Sequence, residues 1–361
     1  MTAAPFILWL DDPEAAGNRL LGGKFSSLGL SVAAGLPVPP GFGITTSAYR
    51  AFMAESGLAP EAARVRQAAA TLPPERLSGE TVGLLEGIAT RPLPARLEDA
   101  VAAAYAALER RAGMAAVPVA VRSSGESEDL AGASFAGQYE TFLWISGPEA
   151  LLRHMRKCWA GMFGDAVLSY RQDGKVVAAM ADFGICVGVQ QMVQARAAGV
   201  AFTLDPINGD RSKVVMEACW GLGEGVVKGE VTPSRFAVDK VTRDITTRAF
   251  SPQAEEYRFD EASGTVGLFP VEDARREICC LSDRNVLDLV ELARGIEIAR
   301  GAPQDIEWAI GPDDDLWVLQ VRPETVWSSR PARPVAAISS PVSHVLMRMA
   351  GVPLAGRNRG S

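Results

Sequence analysis

The segment Gln304-Asp305-Ile306-Glu307-Trp308-Ala309-Ile310 leads through Gly311-Pro312-Asp313-Asp314-Asp315 into Leu316-Trp317-Val318-Leu319-Gln320-Val321-Arg322-Pro323. Apolar and polar residues alternate on both sides of the Gly-Pro-Asp cluster, the pattern of two strands joined by a polar turn. Strand side chains alternate between faces, so the pairing register decides which residues share a face. Placing Ile310 opposite Trp317, Glu307 opposite Gln320 and Asp305 opposite Arg322 gathers Ile306, Trp308, Ile310, Trp317, Leu319 and Val321 on an apolar face. Asp305, Glu307, Gln320 and Arg322 then share the other face. Carboxylates, an amide and a guanidinium converging there suit a divalent cation with a phosphate chain, hard oxygens for the metal and a planar cation for phosphoryl oxygens. A solvated polar face fits the same alternation, and the hairpin alone leaves both readings open.

The whole chain narrows the choice. Its 361 residues, 48% hydrophobic and 22% charged, can bury a sizeable core and hold two or more domains or subdomains. A formal net charge of −7 argues against nucleic acid as a partner bound over the whole surface. No run reaches the ~18 uncharged apolar residues that span a membrane, and the amino terminus lacks the pattern of a secretory signal. The five cysteines (Cys158, Cys186, Cys219, Cys279, Cys280) form no CxxC and have only two histidines beside them. That disfavours a zinc site or a disulfide framework and points to the cytoplasm.

In chain order, residues 5–10 read as a short buried strand. Gly22-Gly23-Lys24 reads as a glycine turn opening a helix, an anion site in outline. Prolines at 37, 39 and 40 force extended backbone, and Thr46 or Ser47 is placed to cap the next helix. Residues 59–115 have a helical pattern broken at Pro73-Pro74 and at Pro92 and Pro94. Residues 117–121 read as a strand delivering Arg122, followed by the small-residue loop 133–141, which could lie over phosphates. Residues 150–170 read as an amphipathic helix in which His154 is a packed or surface residue. Strands are expected at 187–193, 199–206 and 214–218. The glycines after residue 220 fail the dinucleotide-binding spacing. Residues 235–270 alternate like surface strands, and 283–301 form an amphipathic helix leading into the hairpin.

Several segments together resemble one family: GGKFSSLG (22–29), GLPVPPGFGITTSAY (35–49), VAVRSSGESEDLAGASFAGQYETF (119–142), GVAFTLDP (199–206), EACWGLGEGVVKGEVTP (217–233), QDIEW (304–308) and LWVLQVRPET (316–325). In this order they are similar to the amino-terminal ATP-binding region of the phosphoenolpyruvate synthase, pyruvate phosphate dikinase and rifampicin phosphotransferase family. The resemblance spans residues 17–327. It implies an α+β fold of the ATP-grasp type, two lobes closing on MgATP, with ATP and Mg²⁺ as cofactors. The expected division is 1–195 as the first lobe with a helical insertion, 196–327 as the second lobe with the metal-binding hairpin, and 328–361 as a tail that docks a partner. Carried over position by position, Lys24 and Arg122 hold phosphates, and Gly137 and Thr141 belong to the covering loop. Gln190 sits near the adenine and Glu217 near the ribose. Glu307 and Gln320 bind Mg²⁺, Arg322 contacts the transferring phosphate, and Asp305 assists.

In that family a histidine on a separate domain attacks ATP, with AMP and phosphate as possible products, and passes the phosphoryl group to a substrate domain. Here Val342-Ser343-His344 through Pro353 echoes the phosphohistidine segment but is two residues short between His344 and Val352-Pro353. The chain ends at Ser361, too soon for a complete histidine domain. The expectation is therefore an ATP-binding subunit of a split phosphotransferase, resembling that of phenylphosphate synthase. A partner subunit would carry the phosphohistidine and pass the group to a small-molecule acceptor, phenol. The alternatives are a phosphoenolpyruvate synthase-like or antibiotic phosphotransferase component, a direct kinase, and a non-catalytic ATP sensor.

Overall fold

A computed structural model describes residues 4–126, 140–169, 171–172, 175–176 and 184–327. Gly137, His344 and the whole carboxy-terminal tail, 328–361, lie outside them. The strands are β1 (Ile7–Trp9), β2 (Gly41–Ile44), β3 (Val119–Gly125), β4 (Thr141–Ile145), β5 (Arg171–Gln172), β6 (Lys175–Val176), β7 (Ile185–Gln191), β8 (Ala197–Phe202), β9 (Lys213–Trp220), β10 (Ser234–Asp239), β11 (Ile245–Ala249), β12 (Glu255–Asp260), β13 (Thr265–Pro270), β14 (Gln304–Ile310) and β15 (Leu316–Pro323). The helices are α1 (Gly22–Ala33), α2 (Thr46–Glu55), α3 (Ala59–Thr71), α4 (Pro74–Thr90), α5 (Ala95–Ala112), α6 (Pro148–Gly161), α7 (Asp165–Ser169), α8 (Glu224–Val227), α9 (Asp273–Arg276) and α10 (Asp283–Arg300). The class is α+β. The compact unit Met1–Glu324 holds both large sheets, ordered β1-β2-β7-β3-β4 and β11-β10-β9-β8-β14-β15, with every pairing antiparallel.

Each sheet buries one face under its own helices. Phe42, Ile44, Val119, Val121, Val187 and Val189 point from the first sheet into a core filled from α2 to α6 by side chains such as Phe52, Leu84, Tyr105 and Trp159. The breaks between α3, α4 and α5 fall at the prolines, which lack the N–H a helix interior requires. In the second sheet Met216, Phe236, Ile306, Trp308, Val318 and Val321 pack on Val286, Leu289, Val290, Ala293 and Ile296 of α10. That helix begins with a capping box between Ser282 and Asn285.

Several elements depart from the sequence reading. Thr45, not Thr46 or Ser47, is the N-cap of α2, and its hydroxyl donates to the Pro5 carbonyl at 2.6 Å. The expected helix over 150–170 ends at Gly161 and resumes as α7 after Gly164. Strand β3 does not stop before Arg122; Ser123, Ser124 and Gly125 continue pairing with β7. The hairpin keeps Asp305 opposite Arg322 and Glu307 opposite Gln320, but a bulge follows Glu307. Beyond it Trp308 pairs with Val318 and Ile310 with Leu316, so Trp317 is opposite Ala309 and leaves the apolar face. Leu319 is the extra residue; inserting one residue shifts every later partner by one.

Among the described residues no helix is long and apolar enough to cross a membrane. Tight strand packing yields one stability prediction. A Cβ on Gly199 of β8 would lie 1.9 Å from the Glu217 carbonyl oxygen and 2.9 Å from the Trp308 ring. Gly199→Ala should cost ~1–3 kcal/mol of unfolding free energy in a urea titration; an unchanged midpoint would contradict this packing.

Candidate functional site

Polar side chains gather on the other face of each sheet, among apolar neighbours such as Val200 and Phe202. In the first sheet Arg122 pairs with Gly188 on one side and Thr141 on the other, and Ala120 pairs with Gln190 one step along the same face. Helix α1, with Leu21 just before it, packs over part of this face through Leu21, Phe25 and Leu28. Its start is fixed by Ser124, whose hydroxyl donates to the Leu21 carbonyl at 2.8 Å and accepts from the Phe25 N–H at 3.2 Å. Gly22 has a φ of +63°, and a Cβ there would meet the Ser124 carbonyl oxygen at 2.1 Å, so this approach requires glycine. The docking puts Lys24 beside β3, its Nζ donating to the Ser123 carbonyl at 3.5 Å.

In the second sheet Arg235, Glu217, Val200, Glu307 and Gln320 form one cross-strand row on a single face. Asp305 and Arg322 pair one step along that face. The two sheets meet at Arg122. Its Nη2 donates to Glu307 Oε2 at 2.7 Å and to Gln320 Oε1 at 3.0 Å, and its Nη1 donates to the Leu319 carbonyl at 3.0 Å. The bulge is what supplies that last acceptor. Ser27 adds a second link, donating from its hydroxyl to the Val321 carbonyl at 2.7 Å.

Burial and neighbouring charge act in opposite senses on the two carboxylates. For Glu307, burial works to raise the pKa, but the charge and hydrogen bond of Arg122, with Arg322 and Lys24 behind it, hold the carboxyl below its usual range. For Asp305, burial wins and lifts the carboxyl above its ordinary value, although Arg322 Nε donates to its Oδ2 at 2.6 Å. Glu307 and Glu324 push it the same way as burial.

Of the residues predicted from sequence, Arg122, Glu307, Gln320, Asp305 and Arg322 come together, with Lys24 and Thr141 beside them. Gln190 is 2% exposed, and its Nε2 has no hydrogen-bond partner among the described residues. Glu217 lies two strands from Glu307, ~10 Å at the usual strand spacing, in the same row. The sequence reading did not anticipate the Leu319 carbonyl, because a backbone acceptor exposed by a bulge has no side-chain signature. It also missed Ser124 as the clamp for α1, for which Ser123-Ser124 directly after Arg122 is the available signal.

The donor set fits the groups expected of it. Glu307, Gln320 Oε1 and Asp305 Oδ1, which is buried without a partner among the described residues, are hard oxygen donors suited to Mg²⁺. No group of three or more His, Cys, Asp or Glu among the described residues is placed to hold a metal. A cation here would therefore draw ligands from Gln320 and from phosphate, as Mg²⁺ commonly does. The Arg122 Nε, also buried without an acceptor among the described residues, fits an anion. A separate cleft of about 370 Å³, lined by Trp144, His154, Lys228, Tyr257 and Phe259 among others, shares Thr141 with this site and none of its carboxylates.

The sequence also matches proteins of known family. The family described as pyruvate phosphate dikinase, AMP/ATP-binding domain, matches residues 18–341. A probable phosphoenolpyruvate synthase of Staphylothermus marinus is 36% identical over 350 residues, covering 90% of this chain and 42% of that protein. A rifampicin phosphotransferase of a Streptomyces species is 37% identical over 328 residues, covering 90% of this chain and 36% of that protein. The chain thus spans less than half the length of these curated relatives. A solved structure of the ATP-grasp ligase PsnB with its precursor peptide and AMPPNP covers 95% of this chain and 62% of its own, at 12% identity and a TM-score of 0.27, a likeness too slight to bear on the fold.

The two arginine–carboxylate pairs differ in exposure, and that difference sets their energies. Arg122 and Glu307 side chains are 13% and 22% exposed, whereas Arg322 is 42% exposed. Double-mutant cycles in denaturant should give a coupling of ~2–3 kcal/mol for Arg122–Glu307 and ~1 kcal/mol or less for Arg322–Asp305. Equal couplings would contradict the bridging role of Arg122.

Proposed function

The chain belongs to the pyruvate phosphate dikinase AMP/ATP-binding family, and from that premise we propose that its facing polar surfaces bind MgATP and phosphorylate a histidine carrier. The fold is accordingly the ATP-grasp of that family. The observation that carries the reading is the meeting of Arg122 with Glu307 and Gln320 across the two sheets. It brings anion-binding and cation-binding groups from separate sheets within hydrogen-bond distance.

On this reading Lys24 and Arg122 hold the phosphate chain, joined by backbone N–H groups at the start of α1, with Thr141 beside Arg122 at the start of β4 and Gly137 assigned to the covering loop. The buried amide of Gln190 meets the adenine edge, and Glu217 takes the ribose. Glu307 and Gln320 hold Mg²⁺, which when bound neutralises charge on the phosphoryl oxygens. Arg322, aimed by Asp305, faces the transferring phosphoryl group. A carrier imidazole nitrogen forms an N–P bond to one phosphorus of ATP as the P–O bond to the nucleotide breaks, the electron pair leaving with the nucleotide's oxygen; for AMP and phosphate as products, water must then cleave the remaining β–γ P–O bond. Such transfer depends on positioning and charge stabilisation, which these residues would supply. We assign the carrier histidine to a partner subunit or a separate domain. The final acceptor is a small molecule, with phenol the first to test; phenol, ATP and water would give phenylphosphate, AMP and phosphate.

Incubating the full chain with a histidine-bearing partner and ATP labelled at the β or γ position should label that partner. ATP binding without transfer would instead leave a nucleotide sensor. Label on a small molecule with no histidine protein present would mark a direct kinase. Gln320→Ala should lower Mg²⁺-dependent turnover on the order of 100-fold with little change in melting temperature, whereas Glu307→Ala should lower turnover as much and lower the melting temperature too, because it leaves Arg122 without its carboxylate. A Gln320→Ala variant that loses as much thermal stability as Glu307→Ala would show that Gln320 is structural.

A further inference from the structure

The oxygens that fit a divalent cation are already held by a guanidinium. Arg122 reaches Glu307 Oε2, Gln320 Oε1 and the Leu319 carbonyl with its two terminal nitrogens. An arginine keeps its charge at any pH a folded protein meets, so it competes permanently for the lone pairs a metal would need. The pair is largely buried, with side chains 13% and 22% exposed, so salt and water screen it weakly. Two positive groups on the same oxygens repel, so a cation alone must displace the arginine.

We propose that Arg122 is the built-in counter-ion of Glu307 and the hydrogen-bond partner of Gln320, and that a divalent cation binds these two residues tightly only when a polyphosphate draws the guanidinium away. The proposal rests on the MgATP reading and concerns the order in which the parts of that site assemble. A polyphosphate alone would take Arg122 from Glu307 and leave a largely buried carboxylate uncompensated, which is costly. A cation alone would leave Arg122 without its anionic partner. Arriving together, the two ligands satisfy every group, since phosphoryl oxygens accept from a guanidinium fork. Nη1 keeps the Leu319 carbonyl as a nearby acceptor, and Nε, buried without one among the described residues, gains one. Metal and nucleotide affinities are then coupled, each raising the other by the same factor.

The test is a titration of the full chain with Mn²⁺, following the free-ion signal by electron paramagnetic resonance. It is run with Mn²⁺ alone, with a non-hydrolysable ATP analogue, and with AMP. Wild type should bind Mn²⁺ about tenfold more tightly with the analogue than without it, and AMP should give no such gain. Arg122→Ala should bind Mn²⁺ alone about tenfold more tightly than wild type, and the analogue should then add little. Arg122→Met keeps much of the side chain's bulk without its charge and serves if the alanine variant does not fold; circular dichroism and melting curves verify both. If wild type binds Mn²⁺ with the analogue but neither folded variant binds Mn²⁺ alone more tightly, the counter-ion role is overturned. A gain with AMP equal to that with the analogue would overturn the requirement for a polyphosphate. Failure of wild type to bind Mn²⁺ with the analogue would instead remove the MgATP reading itself.

Discussion

The ion pair between Arg122 and Glu307 joins two sheets at a point where neither has an apolar core. Each sheet satisfies its hydrophobic face elsewhere, the first under α2 to α6 and the second under α10. Around Arg122, beyond the apolar residues that seat α1, the groups that meet are polar. Charged groups tolerate such burial only when paired and hydrogen-bonded. Arg122 meets that condition with a carboxylate, an amide oxygen and a backbone carbonyl from the opposite hairpin. The same requirement makes the place suitable for a ligand carrying both signs of charge.

Two local irregularities give the bridge its geometry. The bulge at Leu319 interrupts β15 and turns a carbonyl toward Arg122 while leaving Glu307 opposite Gln320. The close approach of Gly22 to Ser124 lets α1 begin against β3, which brings Lys24 to the edge of the same face. Neither feature stores its effect in a functional side chain. Both set the backbone that aims one.

Much of this was legible in the sequence because side-chain alternation reports burial directly. Asp305, Glu307, Gln320 and Arg322 share a face because strand period and turn chemistry leave few registers, and one half of the predicted register is the one observed. The other half differs because a bulge adds one residue without changing composition, so Trp317 and Ile310 pair with Ala309 and Leu316. The helical stretch after residue 59 was readable from its prolines. The Arg122 bridge was not, since it joins residues 185 positions apart and no local pattern encodes such a distance. Alternation placed Glu307 and Gln320 together, the family resemblance named Arg122, and only the fold brings the three into contact.

The most direct test of the central claim is a crystal structure of the full chain with Mg²⁺ and a non-hydrolysable ATP analogue. The account predicts the triphosphate between β3 and the β14–β15 hairpin, a cation on Glu307 and Gln320, and the guanidinium of Arg122 on phosphoryl oxygens. An analogue bound instead in the cleft of Trp144 and Phe259, with Arg122 still on Glu307, would contradict it.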